Sequence, residues 1–164
     1  MSTSRVRAPA LPARPTWGRL GGGRPGPLSI KGGVTMAETD LYRKGKEIRR
    51  QLLGDYADRL DTTTYADPIM RKFRETVTET IFGALWARPG LDFKTRALVC
   101  VVSDAATGRD PELAIHLRMA RRQGWTEEEL TEVLLHMSGY VGVPIIRESL
   151  LTASRVFAEM RGSS

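Results

Sequence analysis

From residue 40 onward, apolar positions recur every three to four residues, and capping or breaking residues bound each run. That period is the signature of helices with a buried face. Asp40 can cap a helix that runs to about Leu53, where Gly54 ends it. Asp67 precedes Pro68, and Ile69, Phe73, Val77, Ile81 and Leu85 keep helical spacing as far as Trp86. Pro89-Gly90 then breaks the pattern. Asp92 opens a strongly apolar stretch, Ala97-Leu98-Val99-Cys100-Val101-Val102, that ends near Gly108. Its β-branched residues would suit a strand, but its length and its helical neighbours favour a buried helix. Asp110 is an N-cap, with Pro111 at the first helical position, for a fourth helix that ends at Gly124. Thr126 and Glu129 form a capping box for a fifth, running to about Gly139. Pro144 opens or kinks the last helix, which carries Ile146, Leu150, Ala153 and Phe157. The pattern predicts an all-α fold of six helices, with no strand signal.

Residues 1–35 break this pattern. They hold seven Gly and five Pro, as in Gly21-Gly22-Gly23-Arg24-Pro25-Gly26-Pro27, and have few apolar side chains. Such a stretch sustains neither helix nor ladder and does not offset the entropy of ordering, so it is expected to be a disordered tail. It carries six basic residues and no acid, whereas the remaining 19 basic residues balance 19 acidic ones from Met36 onward. The net charge of +6 is therefore a property of the tail, and the folded surface lacks the basic excess of a nucleic-acid binder. The tail has no apolar core of a secretory signal, and its Gly and Pro suit an amphipathic transit peptide badly. The preferred reading is that Met36 is the true start. The Lys31-Gly32-Gly33 codons can spell a purine-rich ribosome-binding site, and Arg outnumbers Lys 20 to 5, as in a GC-rich bacterial genome. One Cys rules out an internal disulfide and a Cys-rich zinc site. No apolar run is long enough to cross a membrane, and a cytoplasmic protein is expected.

The candidate chemistry lies on two helices. Glu112 and His116 are four residues apart and share one helix face, and His116 also joins the stripe of Leu113, Leu117 and Ala120. An imidazole beside a carboxylate on a half-buried face can carry a proton near neutral pH. The same spacing also fits a partly buried histidine that only hydrogen-bonds its neighbour. Glu132, His136 and Tyr140 form a second column at the edge of an apolar stripe, either a pocket wall or a surface column. Cys100 has no basic neighbour in sequence to lower its pKa and reads as structural. Arg88 and Arg96 flank the Pro89-Gly90 break and could fork onto a carboxylate. Gly21-Gly22-Gly23 is no phosphate loop, since neither strand nor helix flanks it. The run around Gly124 mimics a helix-turn-helix, but Glu127-Glu128-Glu129 at the start of its second helix would repel phosphates.

Several stretches together resemble the carboxymuconolactone decarboxylase family, within the alkylhydroperoxidase D-like superfamily. They are Tyr42-Arg43-Lys44-Gly45 with Ile48-Arg49 and Leu53-Gly54; Trp86-Ala87-Arg88-Pro89-Gly90-Leu91; Thr95-Arg96-Ala97-Leu98; Gly108-Arg109; Glu112 to Arg118; and Glu132 to His136 with Tyr140, Gly142 and Pro144. The likeness spans about residues 41–160. It implies an all-helical subunit, a ring-shaped homohexamer built as a trimer of dimers, and a decarboxylase that uses neither metal nor organic cofactor. The peroxidase relatives use a Cys-x-x-Cys before their histidine; if His116 matches that histidine, those positions are Arg109 and Glu112, which excludes disulfide exchange. By the resemblance, His116 is the acid, Glu112 its orienting partner, and Arg88 or Arg96 the carboxylate anchor. Trp86, His136 and Tyr140 would line the pocket.

Three departures bear on the substrate. Typical decarboxylases resemble Gly-Glu-x-Trp where this chain has Gly83-Ala84-Leu85-Trp86, so a pocket carboxylate is missing. Ile145, Ile146 and Arg147 replace small residues and should reshape the cavity. Ser103 and Asp104 stand in a helix that is usually apolar there; Asp104 either pairs with Arg96, two turns away, or replaces the lost acid at the substrate. The expected function is a cofactor-free lyase on a small carboxylated lactone resembling 4-carboxymuconolactone. Two alternatives stay open: a divergent member catalysing ring opening, dehydration or rearrangement of an aromatic-derived intermediate, and a non-catalytic binding or assembly protein.

Overall fold

The computed structural model describes residues 38–162, so the tail expected over residues 1–35 and the Met36 start lie outside the described residues. Among them the regular structure is entirely helical. Helix α1 (Asp40–Leu53) is followed by a short α2 (Tyr56–Thr62) and by α3 (Pro68–Val77), which continues as a π-helical segment, Thr78–Trp86. Then come α4 (Phe93–Thr107), α5 (Asp110–Arg122), α6 (Glu127–Val141) and α7 (Val143–Arg161). The six-helix expectation is thus short by α2, and the predicted helix over 68–86 changes register halfway.

Local chemistry explains most boundaries. Thr39, rather than Asp40, caps α1 by accepting the Tyr42 N–H (3.1 Å), and the N-cap of α5 is Arg109, without a side-chain bond, rather than Asp110, which is already helical. Asp67 accepts from the N–H groups of Ile69 and Met70, and Asp92 from that of Thr95. The capping box at α6 is complete: Thr126 Oγ1 accepts from the Glu129 N–H (3.0 Å), and Glu129 accepts from the Thr126 N–H (2.7 Å). These bonds lower the pKa values of Asp92 and Glu129, through Thr95 and Thr126 respectively. Helix α4 ends at Gly108, whose φ of 65° is left-handed, and this tight turn folds α5 back along α4.

The core is built from Leu52, Val101, Leu113, Leu117, Leu130, Leu134, Ile146 and Val156, each at most 1% exposed. A buried Leu contributes about 1.5–3 kcal/mol by leaving water. Helix α1 packs against the π-helical segment at two glycines. A Cβ on Gly45 would fall into the Thr78 carbonyl, and one on Gly83 into the Leu41 carbonyl. This crossing buries Thr78, Gly83 and Trp86. The predicted stripe of Ile69, Phe73, Ile81 and Leu85 therefore faces outward, at 78%, 53%, 38% and 48% exposure.

Candidate functional site

The hairpin of α4 and α5 brings together the residues with the clearest chemistry. Asp104 lies on the last turn of α4 and is buried, and its carbonyl accepts from the Arg109 N–H (3.0 Å) just beyond the turn. Its carboxylate crosses to α5, where Oδ2 sits 2.5 Å from His116 Nδ1. The Asp104 side chain is 9% exposed and the imidazole 26%. An ionised carboxylate only accepts, so this contact assigns the proton to Nδ1 and leaves Nε2 open. No described residue engages Nε2. The arrangement can hold an imidazolium at its buried edge and deliver a proton from its open one.

Glu112 is not the partner of His116. It is exposed and forms no hydrogen bond or ion pair among the described residues, because it lies one turn back along the same helix while Asp104 faces the ring directly. Its charge is felt elsewhere. Tyr65 has its pKa raised first by burial, then, after a lowering contribution from Arg49, by Asp61 and Glu112.

Arg96 does not pair with Asp104. It donates from Nε to the Leu91 carbonyl (3.1 Å) and from Nη2 to the Arg88 carbonyl (2.8 Å), clamping the Pro89-Gly90 loop. Eight residues of helix separate it from Asp104, an axial distance of about 12 Å. Arg88 is exposed at that same far end. Trp86 belongs to the core, where its ring packs 6.0 Å from Phe82 and 5.9 Å from Phe93. His136 and Tyr140 are exposed and pack on each other at 5.1 Å, and neither meets His116. Ile146 is in the core, Ile145 covers Gly108, and Arg147 pairs with Glu148. Burial, and secondarily the charge of Asp104, push the Cys100 thiol up to about 11, so it is a poor nucleophile.

No group of three metal-ligating side chains occurs among the described residues. A cleft of about 270 Å³ between α1, α2 and α3 is lined by Arg49, Asp61 and Arg74, and one of about 320 Å³ on α6 and α7 by Leu135, Val143 and Leu151. Neither includes His116. Both members of the Asp104–His116 pair stand out in the sequence, Asp104 as a carboxylate in an apolar helix and His116 beside a carboxylate on the next, but their pairing across the two helices does not.

The described residues form a small helical scaffold with a carboxylate-held, partly exposed histidine on a tight helical hairpin. Comparison with known proteins narrows this to a family. The carboxymuconolactone decarboxylase family profile matches residues 71–155. The chain is 33% identical over 125 residues to 4-carboxymuconolactone decarboxylase of Acinetobacter baylyi, covering 76% of this chain and 92% of that protein. It is 32% identical over 121 residues to nitrosuccinic acid decarboxylase of Metarhizium robertsii, covering 73% and 83%. The chain belongs to the carboxymuconolactone decarboxylase family.

Proposed function

We propose that this chain is a decarboxylase of a small dicarboxylic acid, placing a carboxylated lactone of the 4-carboxymuconolactone type first. The observation that carries the reading is the Asp104–His116 pair, an imidazole held at Nδ1 and open at Nε2. Its relatives bear the names of two decarboxylases, and both named substrates are dicarboxylates with an electron sink beside the departing carboxylate. In the lactone the leaving carboxylate sits on a ring carbon conjugated through a double bond to the lactone carbonyl. Loss of CO2 leaves its electron pair on that conjugated system as a dienolate. His116 then gives its Nε2 proton to a dienolate carbon, and solvent reprotonates the ring. Asp104 stabilises the imidazolium before that step and takes the positioning part assigned by resemblance to Glu112.

We place the protein in the cytoplasm, as a homohexamer with the six-helix alkylhydroperoxidase D-like subunit extended by α2. Exposed apolar side chains support assembly: Ile69 and Phe73 on α3, and Leu135, Val143 and Leu151 on α6 and α7, are 44–78% exposed. His136 and Tyr140, solvent-facing in one subunit, are available to a neighbour's pocket. Ala84, where a carboxylate is expected, favours a second reading in which the same pair serves ring opening, dehydration or rearrangement.

The test is CO2 release from 4-carboxymuconolactone and from nitrosuccinic acid. Turnover of one of them is expected, with His116→Ala slower by about 10²-fold or more at unchanged helix content. No CO2 from either, or an undiminished rate in His116→Ala, overturns the reading.

A further inference from the structure

We infer that Arg109 anchors a substrate carboxylate at the His116 site, in place of Arg88 and Arg96. This rests on the decarboxylase reading only for the identity of the reaction; the anion-binding claim stands on geometry.

Arg109 is the residue immediately before α5, seven positions ahead of His116. Arg109 is the N-cap of α5, with non-helical φ of −98° and ψ of 68°, so it leaves the chain at the α4–α5 turn, about 10 Å ahead of His116 along the helix axis. The backbone of Arg109 is fixed at both ends: its N–H donates to the Asp104 carbonyl (3.0 Å), and its carbonyl accepts from the Leu113 N–H (2.8 Å). The residue that holds the imidazole thus also holds the main chain from which this arginine projects.

The guanidinium itself is exposed and forms no hydrogen bond or ion pair among the described residues. Two acids are close enough in sequence to neutralise it, and neither does. Asp110, next in the chain, has its Oδ1 buried without a partner. Glu112, three residues on, is unpaired and is felt at Tyr65. An arginine left open between two acids keeps its five donors for an incoming carboxylate, which it can grip in a two-point fork. Arg96 has no such freedom, with its guanidinium on the Leu91 and Arg88 carbonyls. Arg88 lies beyond Arg96, at the end of α4 remote from Asp104. Arg109, by contrast, stands at the turn that joins the two helices of the Asp104–His116 pair, with its guanidinium open to a molecule that has one carboxylate at each end.

The chain has two histidines, so the Cε1–H resonances of His116 and His136 can be assigned with one variant, His136→Gln. The probe is succinate, titrated into the full chain. The His116 signal should move saturably and that of His136 should stay. Arg109→Gln should weaken succinate binding about tenfold or more, Arg109→Lys should lose less, and Lys72→Gln, on the exposed side of α3, should lose nothing. On a turned-over substrate, Arg109→Gln should raise KM with little change in kcat. A His116 signal that ignores succinate, or affinity unchanged in Arg109→Gln but lost in Arg88→Gln, overturns the assignment. Binding needs no turnover. Succinate held through Arg109 without CO2 release would refute the decarboxylase and keep the anchor, while turnover with an unaltered KM in Arg109→Gln would refute the anchor and keep the decarboxylase.

Discussion

Asp104→Asn isolates the charge of Asp104 from its shape. The side chain is 9% exposed and its Oδ2 lies 2.5 Å from His116 Nδ1, so an amide of the same size fills the space and can still accept one hydrogen bond. What is lost is the charge that supports the imidazolium. A hydrogen bond to a charged group is worth roughly 1.5–3 kcal/mol against about 0.5–1.5 for a neutral one. The difference, about 1–1.5 kcal/mol, is a factor of roughly 5–15 in rate at 1.36 kcal/mol per decade. A larger loss, approaching ~10⁴-fold, is expected if the amide turns its NH2 toward Nδ1 and drives the ring into the other tautomer. Steady-state kinetics with ¹⁵N spectra of the ring nitrogens separate the two, because the shift pattern reports which nitrogen carries the proton. KM should hold in both cases, since Asp104 acts through His116. The variant carries its own structural control. The charge of Asp104 is the second cause of the raised Cys100 pKa, so the thiol should titrate lower in Asp104→Asn. A kcat within twofold of wild type, with that thiol shift present, would refute the assignment of Asp104 as the positioning carboxylate.

Gly83→Ala should cost at least about 1–3 kcal/mol, because its Cβ falls into the Leu41 backbone carbonyl; urea unfolding with a loss under about 0.5 kcal/mol would contradict the crossing of α1 and the π-helical segment. The Cys100 pKa is raised in the folded state, so the stability this group contributes is present below about pH 9 and lost as pH rises toward about 11. Urea midpoints should therefore fall more steeply over that range in wild type than in Cys100→Ala, and parallel slopes would contradict the burial of the thiol. A chain beginning at Met36 should form the same oligomer as the full chain by light scattering and keep its activity; a monomeric full chain would end the assembly proposal.

Many helix boundaries are local matters and legible in the sequence, although Asp40 and Asp110 lie one residue inside the helices they are expected to cap. Asp67-Pro68, Asp92, the Thr126–Glu129 box and Gly108 each act on backbone groups within a few residues, and the structure uses all of them as caps or stops. Helix α2 was not legible, because its seven residues begin at Asp55, which makes no side-chain cap bond, and bury only Ala57 and Leu60. The period of Ile69, Phe73, Ile81 and Leu85 is plain in the sequence, but the sequence alone does not say which side of that helix packs inward. Which face turns inward is set by the contact of Gly45 and Gly83 across two helices, and a glycine pair has no hydrophobic signature to announce it.

The site failed in the sequence for the same reason and in an instructive way. Spacing along one helix reveals neighbours on that helix, so it suggests Glu112 for His116 and leaves Asp104 either to Arg96 or to the substrate. The structure makes neither contact, because a carboxylate buried in an apolar helix answers to whatever the next helix places against it. Burying such a charge unpaired is costly, so Asp104 required a partner, and with Arg96 clamping the Pro89-Gly90 loop the partner had to come from another element. The chain has two histidines, and the tight turn at Gly108 lays α5, the helix that carries His116, directly back along α4. An isolated acid in an apolar helix, a tight turn after it and an ionisable residue on the returning helix therefore form a pattern that can be searched for in sequence. In this chain it also singles out Arg109, which stands between the two helices, donates its backbone N–H to the Asp104 carbonyl, and keeps its side chain unpaired among the described residues.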